Sequence, residues 1–272
     1  MKVCFLPVAA VLACVPAEAT TAYRIDFGPL GSSSKYITPT KQQGWNNVAL
    51  ANEQQTEPGA ASFMARYYGE NEERESAVSQ AVLIYDVNGK AQPVSLAAVK
   101  SGSGTLRMLG GSGAAYAPDS LYEKFQPGAD LTGFPPSAHR DFITVDGGGS
   151  LTLTFSGLQR GTYDLTLAAG RTYASGGSAT EASYAVNGET RTLRGNDGSG
   201  GGQYAGVLAW KSIDVGEDGT LTLTIEGCQN TDTGKWTSAA LNSLELTLVP
   251  EPSPPLLAAF GALAFVFCRR RP

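Results

Sequence analysis

Histidine and cysteine are almost missing from this chain of 272 residues. His139 is the single histidine, which excludes a zinc protease motif with paired histidines and any His-rich metal site. Cys4 and Cys14 lie in an N-terminal apolar segment and Cys268 in a C-terminal one, so Cys228 stands alone in the middle. One cysteine closes no internal bridge, and the fold must rest on its core. Cys228 itself reads as a small buried hydrophobe. Charge is scarce too, at 17% of residues against roughly 25% in an average globular domain. Basic charge is the scarcer sign. The net charge is −5, and setting aside Lys2, Glu18, Arg269, Arg270 and Arg271 leaves 16 basic and 24 acidic residues, or −8. Nucleic acid is excluded as a partner, because no basic footprint exists to neutralise phosphates.

Catalytic motifs are equally thin. No Gly-x-Ser-x-Gly elbow occurs. Neither lysine that follows a glycine, Lys90 or Lys235, sits in a phosphate loop. Gly198-Ser199-Gly200-Gly201-Gly202 lacks dinucleotide spacing, since Gln203 stands where the last glycine belongs, and it reads as a loop. His139 with Asp141 and a serine is a conceivable triad, but neighbourhood in sequence fixes no geometry, and a loop histidine is the plainer reading. A glycosidase would need only two carboxylates, which an acidic chain always contains. The expectation is therefore a protein that is not an enzyme.

What is present begins at the ends. Lys2, an uncharged apolar run from Val3 to Val15 and an A-x-A site at Ala17-Glu18-Ala19 make residues 1–19 a secretion signal cut after Ala19. The run falls short of the roughly 20 apolar residues of a membrane-spanning helix. Val11-Leu12-Ala13-Cys14 is a loose lipoprotein box and offers a second reading, with a lipid on Cys14. Residues 249–272 hold three parts in order: Val249-Pro250-Glu251-Pro252-Ser253, an apolar stretch Leu256 to Phe267, and Arg269-Arg270-Arg271. The arginines should stay cytoplasmic. A helix of a dozen residues covers about 18 Å of a roughly 30 Å hydrocarbon core, so Pro254 and Pro255 extend it or the bilayer thins.

This tail resembles the PEP-CTERM sorting domain. The resemblance implies recognition of Val249, Pro250, Glu251 and Pro252, with the Arg269–Arg271 stop, by an integral-membrane exosortase. It also implies passage through the inner membrane and then a place on the surface or in the matrix of a Gram-negative bacterium that makes exopolysaccharide. An ordinary C-terminal anchor is the alternative reading of the same residues.

The middle, residues 20–248, reads as one all-β domain, a jelly-roll-like antiparallel β-sandwich flanked by the signal and a short apolar helix. Leu151, Leu153 and Phe155 alternate with threonines, as do Leu221, Leu223 and Ile225. Tyr163, Leu165 and Leu167, and Leu244, Leu246 and Leu248, follow the same period of two, which a half-buried sheet requires. Glycine, at 33 residues, suits short strands and tight turns. Asn187-Gly188 and Asp218-Gly219 predict two-residue hairpins with positive φ at both positions, and Asn88-Gly89 follows a strand at Ala81–Val87. Tyr23–Phe27 predicts an early strand. Ala60–Tyr68 and Ser120–Phe125 predict short helices, and Ser101–Gly104 and Gly110–Ala115 loops.

Ile25-Asp26-Phe27-Gly28, Gly44-Trp45-Asn46-Asn47-Val48, Arg140-Asp141-Phe142, Ser156-Gly157-Leu158 and Tyr163-Asp164-Leu165-Thr166-Leu167 up to Gly170-Arg171 occur in that order. The order resembles galactose-binding-like or malectin-like jelly rolls of exported bacterial proteins, which implies the fold and, through it, glycan binding. Sugars offer apolar faces and polar edges, which suit an aromatic ring beside polar side chains. Trp45 and Trp236 are the candidate stacking residues, with Asn46, Asn47 and Arg171 as polar partners. Trp210, Tyr173 and Tyr204 also lie near polar stretches. Tryptophans packed in the core are the alternative. No cofactor is expected beyond a structural calcium ion, for which Asp146, Asn196 and Asp197 are candidate ligands. Three functions follow: a surface module that binds extracellular polysaccharide, a matrix protein without a small ligand, and a glycan hydrolase.

Overall fold

The computed structural model describes residues 21–28, 30, 41–52, 54–70, 72–89, 94–110, 141–172, 181–194, 203–229 and 237–250. The expected signal peptide, the expected helix at Ser120–Phe125, His139, Asn196, Asp197, Trp236 and everything from Glu251 onward lie outside them.

The described residues form a β-sandwich with no helix. One seven-stranded sheet runs β15 (Gln203–Val215), β12 (Gly161–Thr172), β18 (Ser243–Leu248), β1 (Ala22–Phe27), β2 (Trp45–Leu50), β5 (Phe63–Tyr68) and β6 (Glu73–Glu75). The opposing sheet runs β14 (Glu189–Arg194), β13 (Glu181–Val186), β16 (Leu221–Gly227), β11 (Gly149–Ser156), β8 (Val94–Gly102) and β4 (Gly59–Ala60), with β7 (Ala81–Ile84) also on β8. A four-stranded sheet of β17 (Ala239–Leu241), β10 (Asp141–Val145), β9 (Leu106–Gly110) and β3 (Gln54–Gln55) completes the set. Every pairing is antiparallel except β1 with β2, where Arg24 to Phe27 run parallel to Trp45 to Val48.

The alternating strings behave as their period demands. Leu151, Leu153 and Phe155 on β11 and Leu221, Leu223 and Ile225 on β16 are fully buried, and they share a core with Ile25, Phe27, Leu165, Leu167, Leu244 and Leu246 of the facing sheet. Each such side chain contributes about 1.5–3 kcal/mol on burial. Their threonines face out, and Thr152 and Thr224 join hydroxyls across strands at 3.0 Å.

Three local expectations need correction. Ala60–Tyr68 is not a helix: β5 occupies Phe63–Tyr68, with Phe63, Ala65 and Tyr67 buried, and pairing with β2 and β6 overrides the helix preference of Ala, Met and Arg. Only Asn187-Gly188 has positive φ at both positions, at 45° and 89°. At Asp218-Gly219 and Asn88-Gly89 only the glycine is left-handed, and its N–H closes a four-residue turn onto Gly216 O or Asp86 O. Such a turn followed by a left-handed glycine is a longer hairpin connection than a two-residue one. Ser101 and Gly102 belong to β8 rather than to a loop.

Candidate functional site

The described tryptophans, Trp45 and Trp210, do not form a surface platform. Trp45 is 1% exposed and Trp210 is 1% exposed. Trp45 lies on β2, which is paired on both sides, by β1 and by β5. Trp210 packs in the core, donates its indole N–H to the Glu189 carbonyl at 3.1 Å and carries the Arg191 guanidinium over its ring at 5.1 Å. The expectation that Trp45 offers an exposed ring is therefore corrected, because strand pairing and packing bury it.

Asn46 and Asn47 are corrected with it, at 1% and 0% exposure. Asn46 donates from Nδ2 to the carbonyls of Arg24 and Tyr85 and accepts the Tyr85 N–H. The two bonds with Tyr85 tie β2 to the segment after β7 and the third reaches β1, so the side chain is a structural clamp. Asn47 shares the face of Asp26, its register partner, opposite to the face of Ile25 and Phe27. Arg171 sits near the end of β12, opposite Tyr204 of β15. Trp236 lies outside the described residues.

Asp146, the described calcium candidate, accepts the Ser238 hydroxyl at 3.0 Å and pairs with Arg107 at 3.3 Å. Among the described residues no cluster of three His, Cys, Asp or Glu side chains gathers to hold a metal. Cys228 is half-buried, and burial pushes its thiol up from the usual value, with Glu181 and Glu226 adding to the shift. Of the residues expected to form a sorting motif, Val249 donates its N–H to Thr162 O at 2.8 Å directly after β18, and Pro250 is exposed.

Among the described residues a concave polar surface lies elsewhere, at the junction of all three sheets. A pocket of about 320 Å³ is lined by Leu50, Asn52, Gln54, Gln55, Thr56, Glu57, Ala60 and Ser62. Leu50 ends β2, and Ser62, just before β5, accepts the Ala51 N–H. Gln54 and Gln55 form β3 on the small sheet, and Ala60 belongs to β4 on the opposing sheet.

The wall between β3 and β4 is braced from within. Inward positions of β8 are Val94, Leu96, Ala98 and Lys100, all buried. The last of these places an ammonium, 0% exposed, where it donates to Thr56 O at 2.6 Å and Gly102 O at 2.9 Å. Gln55 spends its amide N–H groups on the Glu57 and Gly59 carbonyls at 3.0 and 3.3 Å. Asn52, Gln54, Thr56 and Glu57 remain exposed around the opening. Amides and hydroxyls each donate and accept, and the carboxylate accepts only. The arrangement suits a ligand rich in hydroxyl groups.

No family model matches the chain, and no curated protein matches it in sequence. Solved structures do show similarity. The ANX2 ectodomain from Arabidopsis thaliana is 15% identical with a TM-score of 0.31, over 53% of this chain and 40% of that one. TmCBM61 in complex with β-1,4-galactotriose is 12% identical with a TM-score of 0.25, over 56% of this chain and 83% of that one. The CBM22-1 xylan-binding domain of Paenibacillus barcinonensis Xyn10C is 15% identical with a TM-score of 0.26, over 42% and 75%. The chain spans 15% of the GH115 glucuronidase BtGH115A that it also resembles. These scores are low, and nothing about a ligand follows from them.

Proposed function

We propose that this is an exported surface protein whose β-sandwich binds carbohydrate at the three-sheet pocket, and whose C-terminal tail is read by an exosortase. The braced polar pocket carries the binding half of this reading. It combines exposed amide, hydroxyl and carboxylate groups with a wall fixed by Lys100 and Gln55. Among the described lining residues Glu57 is the sole carboxylate, whereas glycoside hydrolysis uses a pair. That favours binding over catalysis. The signal at residues 1–19 and the tripartite tail at 249–272 support the sorting half.

A glycan array probed with the purified full-length protein tests the binding reading. Binding should be lost in Asn52→Ala/Gln54→Ala while the thermal midpoint holds. Retained binding in that variant would place the site elsewhere. For the sorting reading, the surface form should begin at Thr20 and lack the arginine cluster by intact mass. A lipid on Cys14, or a full tail on the surface form, would refute it.

One observation favours a second reading, a matrix protein without a small ligand. Trp45 and Trp210 are core, and the large exposed apolar side chains among the described residues are Val78, Leu83 and Val99, none of them aromatic. A blank array from folded protein would make this the better account.

A further inference from the structure

Resting on the glycan-binding reading, we infer that the pocket takes the end of a neutral or amino-bearing sugar chain and rejects acidic glycans. Size comes first. At about 320 Å³ the cavity lies at the low end of ligand pockets, which run from about 300 to 1,000 Å³. That room suits one or two sugar rings rather than the length of a polymer.

Chemistry comes second. Among the described lining residues Leu50 and Ala60 are the apolar ones, and neither supplies a flat ring. Recognition therefore rests on hydrogen bonds from Asn52, Gln54 and Thr56, whose paired donor and acceptor character matches vicinal hydroxyls. A chain end exposes more hydroxyls than an internal residue does, because one glycosidic linkage is missing.

Charge comes third. Among the described lining residues Glu57 is the one ionisable group, and it is exposed. It attracts an ammonium and repels a carboxylate or sulfate, and like charges brought face to face across a contact are strongly disfavoured. The nearby cation does not offset this at the contact surface. Lys100 is fully buried and directs its ammonium to the Thr56 and Gly102 carbonyls. Among the described lining residues no guanidinium or ammonium is present to hold an acidic sugar.

Calorimetric titration of the full-length protein against cellobiose, galactobiose, their glucosamine-type counterparts, digalacturonate and long neutral polysaccharide tests this directly. At least one neutral dimer should bind. Its amino counterpart should bind as tightly or more so, and digalacturonate about ten-fold more weakly or worse. Glu57→Gln should bring the amino counterpart's affinity to about that of the neutral dimer measured on the same variant. Digalacturonate binding at neutral-dimer affinity, or an unchanged order in Glu57→Gln, would overturn the charge assignment while glycan binding stands. Binding of polymer without any dimer would overturn end recognition alone. Silence toward every sugar would overturn both this inference and the reading beneath it.

Discussion

The Lys100 ammonium donates to the Thr56 carbonyl at 2.6 Å from a position with no solvent exposure. The bond links an inward position of β8 to the wall of the pocket, 44 residues earlier in the chain. A buried charge stays only where its donors are satisfied, and here backbone carbonyls satisfy it. Lys100→Met keeps the apolar stem and removes the donors. It should lower stability by about 1–3 kcal/mol by leaving carbonyls unpaired, and it should weaken glycan binding beyond that of a surface control such as Lys211→Met. Urea unfolding and titration of the same sample check the two effects together.

Trp45 gives the opposite pattern. Trp45→Ala should cost about 3–5 kcal/mol, the range for emptying a large buried aromatic site. In whatever fraction stays folded, glycan affinity should be unchanged. Chemical denaturation with a binding assay on folded protein separates the effects. Loss of binding at full stability would return Trp45 to the site.

Burial pushes the Tyr163 phenol up from 10.0 to about 12, and its O–H donates to the Gln159 carbonyl at 2.9 Å. Tyr23 shifts the same way, first through burial and then through Tyr163 and Asp86. The unfolded chain loses these protons first, so stability is full below pH 10 and falls as pH rises from there toward 12. Thermal midpoints from pH 8 to 12 should fall above pH 10, and Tyr163→Phe should shallow the slope.

Gly28 leaves no room for a side chain. A Cβ there would lie 2.2 Å from Asp141 Oδ2 and 2.3 Å from Asp141 Cγ, and Asp141 is itself fully buried. Gly28→Ala should cost about 1–3 kcal/mol as an overpacked site. Gly188→Ala is strained by a φ of 89°, but its Cβ meets nothing within 4 Å. Gly28→Ala paired with Asp141→Ala should recover part of the loss if the clash is its cause. Denaturation of the two singles and the double checks this.

The sheet strands were legible because one face of each is buried. Leu151 to Phe155 and Leu221 to Ile225 alternate so cleanly that period alone identifies them. Phe63, Ala65 and Tyr67 alternate as well, but Ala61, Met64 and Arg66 favour helix, and the deciding contact with β2 is not local. Trp45 misled for a related reason. Gly-Trp-Asn-Asn looks like a loop, and its burial comes from two strands, β1 and β5, that approach it from separate parts of the chain. The pocket was invisible in the sequence. Asn52 to Glu57 is a polar run without period, and only the meeting of three sheets makes it concave. The amide pair Gln54-Gln55 beside Asn52 was the available signal.

β1 pairs with β18 from Ala22 opposite Thr247 to Asp26 opposite Ser243, and the Arg24–Glu245 ion pair lies in the same ladder. The first strand of the sandwich thus waits for the last. Until residue 248 emerges, the centre of the sheet that holds β1 has no partner for one side of that strand, and closing so long a loop delays folding further. Under the proposed export such delay would serve the chain: threaded from its N-terminus it would stay linear until transit is nearly complete, and its own topology would then time the moment at which it becomes compact.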